Sequence, residues 1–247
     1  MMEMEETNEG DEMPDSMIPT PRGPLPGYVA VPAGAGPWPG VVVIHEAFGL
    51  DDDMRRHADR LARWGYLALA PDFFAWGRRF TCLRAAFREL RGGAGRMFDD
   101  IDATRGWLTD RDDCTGRVGV LGFCMGGGFA LLAAPRFPFA AASVNYGQVP
   151  ADAERVLVGA CPIVGSYGGR DRVLRGSAAR LEGAVERLGI AHDIKEYPEA
   201  GHSFMNRHHG PAFAALGAVL DAGFDGPAAG DAWRRIMAFF DAHLRQK

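Results

Sequence analysis

A cysteine occupies a position where the surrounding sequence would make it a nucleophile. Residues 122–126 are Gly-Phe-Cys-Met-Gly, which matches the Gly-x-Ser-x-Gly nucleophile elbow with cysteine in the serine position. An apolar run precedes this segment and an alanine-rich stretch over 128–134 follows it, so the sequence predicts a strand, a tight turn and a helix. The Cys124 thiol would then lie at a helix N-terminus, where the helix dipole favours the reactive thiolate. The alternative is a core cysteine beside a glycine-rich bend.

An acid and a base follow Cys124 in the chain, in the order that this kind of elbow requires. Asp171 ends a Gly-Gly-Arg-Asp turn directly after an apolar stretch over 161–167. His202 lies on a glycine-bearing loop after a predicted strand over 192–197. Because parallel strands end at one edge of a sheet, we expect the three side chains to converge there. Taken singly, Asp171 could be only a turn former and His202 only a surface residue.

Four segments of the chain together resemble the dienelactone hydrolases, which are cysteine-nucleophile members of the α/β-hydrolases. The resemblance covers about residues 17–245 and rests on the elbow, an acid loop, a base loop and an early His-Glu-x-x-Gly-Leu segment, which are residues 122–127, 168–171, 201–204 and 44–50. It implies that Cys124 is the nucleophile, His202 the general base and Asp171 the residue that orients the histidine. It further implies a carboxylic ester hydrolase, similar to carboxymethylenebutenolidases, that forms a thioester acyl-enzyme and needs no cofactor.

The resemblance also gives a role to Glu46, which follows the buried strand predicted over 40–44. In the family the corresponding glutamate contacts the thiol, and substrate binding shifts this contact so that the thiol loses its proton only when substrate is present. The amide N–H groups of Met125 and Ala47 would stabilise the oxyanion. From the residues alone, Glu46 could instead be a surface-reaching carboxylate that caps the following helix.

Arginines are the candidates for binding an anionic substrate. The segment 73–97 is irregular and arginine-rich, and it follows the carboxyl end of a predicted strand, where this fold builds its sites. Family members hold a substrate carboxylate with arginines from this region and from just after the catalytic histidine. The candidates in this chain are Arg78, Arg79, Arg84 and Arg207, with Phe48 and Tyr146 as further substrate-binding residues. The alternative for the segment is a solvated basic helix.

Strands alternating with amphipathic helices predict an α/β-hydrolase fold, with a doubly wound and mostly parallel sheet flanked by helices. The predicted strands are 28–31, 40–44, 66–70, 118–121, 161–167 and 192–197, and the predicted helices are 51–64, 98–109, 128–134, 177–188 and 231–244. We expect residues 17–247 to form a single domain. Residues 1–16 are acidic and polar, and a disordered tail is expected there.

Composition restricts the classes of function. A net charge of −5 and a pI near 5.8 give no support for nucleic-acid binding. Four cysteines without metal-like spacing, and no visible signal peptide or transmembrane run, favour a cytoplasmic protein in a reducing setting, with no membrane partner. The pair His208-His209 has no acid or cysteine spacing that would complete a metal site, so no metal is expected. A monomer or small homo-oligomer is expected.

The predicted reaction is hydrolysis of a small ester or lactone, dienelactone-like and bearing a carboxylate. Two other functions remain open at this point. One is a broad-specificity carboxylesterase or thioesterase. The other is a non-catalytic homologue that binds a small ligand, although such a protein would have no need of a nucleophile, an acid and a base together.

Overall fold

The computed structural model describes residues 15–208 and 221–245, and their strands form one eight-stranded sheet. The strands are β1 Asp15–Thr20, β2 Gly23–Ala30, β3 Trp38–Ile44, β4 Leu67–Pro71, β5 Cys114–Phe123, β6 Ala142–Asn145, β7 Ile163–Gly168 and β8 His192–Tyr197. The helices are α1 Asp52–Arg63, α2 Arg79–Gly92, α3 Arg96–Thr109, α4 Met125–Ala133, α5 Ala153–Val156, α6 Ser177–Arg187 and α7 Gly226–Leu244. The strand order is β1-β2-β4-β3-β5-β6-β7-β8. Strands β1 and β2 pair antiparallel with their neighbours, and all the other pairings are parallel.

Alternate residues of the central strand β3 point to opposite faces of the sheet. Val42 and Ile44 pack in an apolar cluster with residues of α2, α3, α4 and α6, whereas Val41 and Val43 pack with residues of α1 and α7. All four side chains are fully buried. Helices therefore cover both faces, as parallel strands require, and the predicted doubly wound, mostly parallel sheet is confirmed.

The two helices on one face of the sheet begin at capping aspartates. Asp51 accepts the N–H of Met54 at 3.1 Å at the start of α1, and Asp225 accepts the N–H of Ala228 at 3.0 Å at the start of α7. Each carboxylate satisfies an N–H group that has no intrahelical acceptor, and each lies at the positive end of a helix dipole. The cap at Asp225 lets α7 begin at Gly226, earlier than the start predicted at 231. None of the helices in the two described ranges is long and apolar enough to cross a lipid bilayer.

The predicted boundary of the N-terminal tail is wrong by two residues. β1 begins at Asp15, inside the segment 1–16, and pairs with β2 in a register that sets Asp15 opposite Tyr28. Ile18 of β1 is fully buried in the core, and this burial together with the ladder of strand pairing accounts for the early start. Residues 1–14 lie outside the described residues.

Three further elements were not predicted as such, and one of them is the four-residue helix α5. β6 is four residues long, which is too short for its periodicity to be recognised in the sequence. The arginine-rich stretch forms the regular helix α2, as the alternative interpretation held, and buries only Ala86 and Leu90.

The turn between β5 and α4 brings two backbones into close approach. Cys124 lies at φ 52° and ψ −115°, in the left-handed half of conformational space, which costs about 1–3 kcal/mol for a residue with a side chain. A Cβ atom at Gly122 would collide with the carbonyl of Gly126, and one at Gly126 would collide with the carbonyl of Ile44. Both glycines are therefore required by the packing of strand against helix, as the sequence pattern predicted.

We expect Gly122→Ala to destabilise the fold by about 1–3 kcal/mol, because the added methyl group has no space without a backbone shift. The matched control is Gly106→Ala in the interior of α3, where a Cβ would meet nothing within 4 Å. That change should stabilise by about 0.5–1 kcal/mol. Urea unfolding monitored by circular dichroism measures both. A Gly122→Ala protein as stable as the wild type would contradict the packing argument.

Candidate functional site

Cys124 is half-buried at the carboxyl edge of the sheet, held by the neighbouring strand. Its N–H donates to the carbonyl of Asn145 at 3.0 Å. The side-chain amide of Asn145 in turn donates to the carbonyl of Gly122 at 3.2 Å and to the hydroxyl of Ser143 at 3.1 Å. These bonds tie the strained turn to β6, so the backbone of Cys124 has little freedom to relax.

His202 stands between Cys124 and Asp171. Its Nε2 lies 3.1 Å from the Sγ of Cys124, and its Nδ1–H donates to the Oδ2 of Asp171 at 2.5 Å. The other carboxylate oxygen of Asp171 accepts the N–H groups of Val173 at 2.9 Å and Leu174 at 3.2 Å, which fixes its orientation. The three side chains converge as the strand-end positions predicted. This geometry is that of a nucleophile, a base and a residue that orients the base.

The environment of His202 favours its protonated form. Burial by itself would lower the pKa, but the hydrogen bonds to Asp171 and Cys124, together with their charges, raise it to about 11. An imidazolium between a carboxylate and a sulfur atom is stabilised by both.

Glu46 is 2% exposed, so it does not reach the surface to cap α1. Its carboxylate accepts hydrogen bonds from the hydroxyl of Ser203, at 3.1 Å, and from the Nε2 of His208. The contact with the thiol that the family resemblance implied is not made in this structure, because Ser203 and His208 take the carboxylate oxygens instead. A buried carboxylate needs such partners.

His208 lies among three carboxylates, and the sequence analysis assigned it no such role. In addition to its bond to Glu46, its Nδ1 lies 3.6 Å from Oδ2 of Asp51 and 3.6 Å from Oδ2 of Asp53. Burial alone would lower its pKa, but the hydrogen bonds and charges of Asp51 and Glu46 raise it to about 10. The side chain is therefore an imidazolium near neutral pH. The histidine pair had drawn attention in the sequence, but the carboxylates around it are distant in the chain.

Asp51, Asp53 and His208 are also a group whose atom types could ligate a cation, with ligand atoms within 4.8 Å of one another. These atoms already have partners, because Asp51 caps α1 and Asp53 accepts from Arg56 and from the N–H of Arg207. The imidazolium of His208 supplies the positive charge that the two carboxylates need. His209, the other half of the histidine pair, lies outside the described residues.

His45 holds the backbone next to Glu46. Its Nδ1–H donates to the carbonyl of Glu46 at 2.7 Å, and its Nε2 accepts the N–H of Phe73 at 3.2 Å. Full burial lowers its pKa, so the ring is neutral and both nitrogens keep these roles. His45 thereby positions the segment that carries Ala47. Its position in the His-Glu pattern was noticed in the sequence, but this supporting role was not.

Tyr146 and Phe48 both lie at the site, where the sequence analysis placed them. The ring of Tyr146 meets that of His202 edge-on, with 5.4 Å between centroids, and the ring of Phe48 lies 4.8 Å from that of His208. The buried hydroxyl of Tyr146 forms no hydrogen bond of ordinary geometry among the described residues, although the Glu46 carboxylate lies near it. Burial and the negative charge of Glu46 hold the pKa of Tyr146 well above its usual range. A protonated, unpaired donor beside His202 is a group that a ligand can satisfy.

The predicted oxyanion donors lie on the two segments that meet at the elbow. Met125 is the first residue of α4, and the first N–H groups of a helix have no intrahelical acceptor. Ala47 follows the β3 strand end that Gly126 touches. Both N–H groups are thus at the edge where Cys124 projects.

The four candidate arginines are not brought together. Arg79, at the start of α2, lies beside the 46–50 loop, with a guanidinium nitrogen 4.0 Å from where a Cβ would stand on Gly49. Arg78 precedes it and is exposed, and Arg84 packs over the ring of Phe80 at 5.7 Å. Arg207 lies over a different cavity and is described below. Arg79 is also exposed, but of the four it is the one that lies beside the 46–50 loop.

Comparison with known proteins agrees with this geometry. The family model described as "Dienelactone hydrolase family" matches residues 25–244. The chain belongs to this family. A predicted carboxymethylenebutenolidase from Methylorubrum extorquens is 31% identical over 241 residues, which span 90% of this chain and 78% of that protein. The dienelactone hydrolase family consists of α/β-hydrolases that act on esters, so the predicted fold and the predicted class of enzyme are confirmed.

Solved structures extend the comparison. The crystal structure of a predicted dienelactone hydrolase from Klebsiella pneumoniae has a TM-score of 0.75 at 28% identity and covers 92% of this chain and 97% of that chain. A dienelactone hydrolase-like promiscuous phosphotriesterase from metagenomic libraries has a TM-score of 0.71 at 22% identity, with 90% and 93% covered. At that identity the second similarity concerns the fold alone.

We expect His208→Gln to destabilise the protein more at low pH than at high pH. The pKa of His208 is raised by folding, to about 10 from an ordinary value of 6.5. Its contribution to the free energy of unfolding is therefore complete below about pH 6.5 and is lost as the pH rises toward about 10. Urea unfolding of both proteins at about pH 6 and about pH 9.5 measures this difference.

The control for this experiment is His243→Gln. Burial lowers the pKa of His243, so its contribution should not decline over the same pH range. An equal destabilisation by His208→Gln at both pH values would show that the imidazolium is not held by the carboxylates.

Proposed function

We propose that this dienelactone hydrolase-family protein hydrolyses a small carboxylate-bearing ester or lactone through Cys124, His202 and Asp171. The observation that carries the proposal is the position of the His202 ring, in hydrogen-bond reach of both the Cys124 sulfur and the Asp171 carboxylate. The strained backbone at Cys124 and the neighbouring helix N-terminus support it further. A protein that only bound a ligand would need none of this arrangement.

In the first half of the reaction the Cys124 sulfur attacks the carbonyl carbon, and its proton passes to His202 or is already there. The negative oxygen of the tetrahedral intermediate accepts hydrogen bonds from the N–H groups of Met125 and Ala47. The carbon–oxygen bond then breaks, and the departing alkoxide takes the proton from the Nε2 of His202. The acyl group remains on Cys124 as a thioester. With a lactone, the ring opens and the alcohol stays attached to the acyl chain.

In the second half a water molecule attacks the thioester while the neutral His202 takes a proton from it. The intermediate collapses with the Cys124 sulfur as leaving group, and the carboxylic acid is released. Asp171 stabilises the imidazolium in both halves and keeps Nδ1 as the donor. The cycle returns Cys124 and His202 to their starting protonation state, so no cofactor enters.

Glu46 is proposed to act on the thiol only after a rearrangement. Its carboxylate accepts hydrogen bonds from Ser203 and His208 in this structure. A substrate carboxylate bound near Arg79 would add negative charge close to the site and would weaken these hydrogen bonds. Movement of Glu46 toward Cys124 would then assist removal of the thiol proton. The buried hydroxyl of Tyr146 is proposed to donate to the bound substrate, because it is protonated, its ring lies against His202, and it forms no hydrogen bond of ordinary geometry among the described residues.

Cys124→Ala should lower kcat/KM for an activated ester by at least about 10³-fold without loss of folding, because the nucleophile is removed and the backbone is unchanged. Cys161→Ala is the matched control and should stay active. Burial raises the pKa of Cys161 to about 12, so its thiol should also resist iodoacetamide at neutral pH while Cys124 reacts. Steady-state kinetics and peptide mass spectrometry of the alkylated protein measure both. Retained turnover in Cys124→Ala would refute the mechanism.

Arg79→Ala should reduce kcat/KM for a carboxylate-bearing ester by roughly tenfold to a hundredfold, because a charge-assisted hydrogen bond contributes about 1.5–3 kcal/mol. A neutral ester of the same size should be hardly affected. Arg84→Ala is the matched control, since Arg84 lies on the same helix and packs on Phe80. Equal turnover of charged and neutral esters by the wild type would instead indicate a general esterase.

A further inference from the structure

An arginine-lined groove lies between α1 and the start of α7. It encloses about 550 Å³, and Asp53, His57 and Met205 contribute to its lining. Neither Cys124 nor His202 is among its lining residues. The charged residues that line it are Arg56, Arg60, Arg63, Arg207 and Asp53.

The positive charges of the groove exceed the negative ones. Asp53 pairs with Arg56 at 2.6 Å. Among the described residues, Arg60, Arg63 and Arg207 form no ion pair. His57 adds no charge, because burial lowers its pKa to about 4.

The acids nearest in sequence to these arginines are engaged elsewhere. Asp59 accepts from the hydroxyl of Tyr28 at 2.6 Å, and Asp225 caps α7. Residues 209–220 contain no Asp or Glu, so they cannot neutralise the groove.

Two of the unpaired guanidinium groups are fixed by aromatic rings. Arg60 lies 4.9 Å over the ring of Trp233, and Arg207 lies 4.3 Å over the ring of Phe224. Burial lowers the pKa of Arg60, and the charges of Arg63 and Arg207 lower it further. Cations held close together against mutual repulsion are prearranged for a ligand that brings the missing negative charge.

A second cavity of similar size shows that arginines alone do not create this imbalance. It encloses about 530 Å³ beside α5 and α6. There Arg155 pairs with Asp152, and Arg187 with Glu154 at 2.6 Å. The groove beside α1 differs because three of its four arginines, Arg60, Arg63 and Arg207, form no such ion pair among the described residues.

We infer that the groove between α1 and α7 binds a small organic anion with at least two negative charges, at a site separate from Cys124. Planar guanidinium groups match the paired oxygens of carboxylates and phosphates. The volume suits a small ligand of this kind. The inference gives Arg207 a ligand other than the ester substrate, and it does not depend on the proposed hydrolytic mechanism.

Calorimetric titration of the full chain with citrate and with pyrophosphate tests the inference, and the two probes distinguish carboxylate from phosphate recognition. At low ionic strength we expect saturable binding of at least one probe with Kd of about 1 mM or tighter. Arg60→Gln and Arg63→Gln should each weaken binding at least about tenfold. Arg155→Gln, in the matched cavity, should leave it unchanged. Thermal unfolding of each variant establishes that it is folded. Because Arg63 is exposed, Arg63→Gln should fold even if Arg60→Gln does not, and the test can then be made with it alone.

Three results would overturn the inference. One is the absence of saturable binding of either probe up to about 10 mM. A second is unchanged affinity in folded Arg60→Gln and Arg63→Gln proteins, or an equal loss in Arg155→Gln. The third is much tighter binding to a full-length variant whose acids in residues 1–14 are replaced by amides, because the chain's own carboxylates would then be the ligand. Ester hydrolysis is not a readout here, so failure of this inference is distinct from failure of the proposed function.

Discussion

The backbone conformation of Cys124 is the constraint on which the site depends. A residue with a side chain adopts a positive φ only when surrounding contacts compensate for the strain. Here the start of α4 approaches β5 and the end of β3 so closely that Gly122 and Gly126 have no room for a Cβ, and the N–H of Cys124 donates to the carbonyl of Asn145. The same close approach sets the sulfur at the start of α4, above the sheet edge. His202 and Asp171 can meet it there because the parallel strands before them end at that edge.

The second constraint is the balance of buried charge around Glu46. Glu46, Asp51 and Asp53 would be costly to bury together without a cation, and the imidazolium of His208 supplies one. This arrangement keeps the Glu46 carboxylate bound to His208 and Ser203 rather than to the thiol. The hydrogen bonds that join Cys124, His202 and Asp171 are therefore left undisturbed. The neutral ring of His45 holds the adjacent backbone without adding to the charge.

Asp53 belongs both to the group of carboxylates around His208 and to the lining of the arginine-rich groove. Its carboxylate faces His208 on one side and pairs with Arg56, which lines the groove, on the other. α1 is thus amphipathic. Its apolar residues pack against the sheet, and its charged residues contact either His208 or the groove. The acids at its start lie beside His208, whereas the arginines farther along line the groove.

Much of the fold followed from local sequence patterns. The apolar runs of β3 and β5, the glycines around Cys124 and the capping Asp51 are recognisable because each depends on neighbours in the chain. β1 was missed because its antiparallel pairing with β2, rather than periodicity, stabilises it, and β6 was missed because it is short and is stabilised by pairing with β5 and β7. The order of Cys124, Asp171 and His202 was sufficient to predict that they meet, since strand ends converge in a parallel sheet.

By itself, the sequence determined the family, the α/β architecture and the residues proposed to carry the chemistry, because those depend on short motifs and on the order of the strands. Only the tertiary structure decided the partners of Glu46, the protonation of His208 and the separation of Arg207 from Arg79. These depend on distances between side chains far apart in the chain and on how deeply each is buried. Coulombic energies vary steeply with distance, and desolvation penalties vary steeply with burial. The spacing of residues along a sequence determines neither the distances nor the burial.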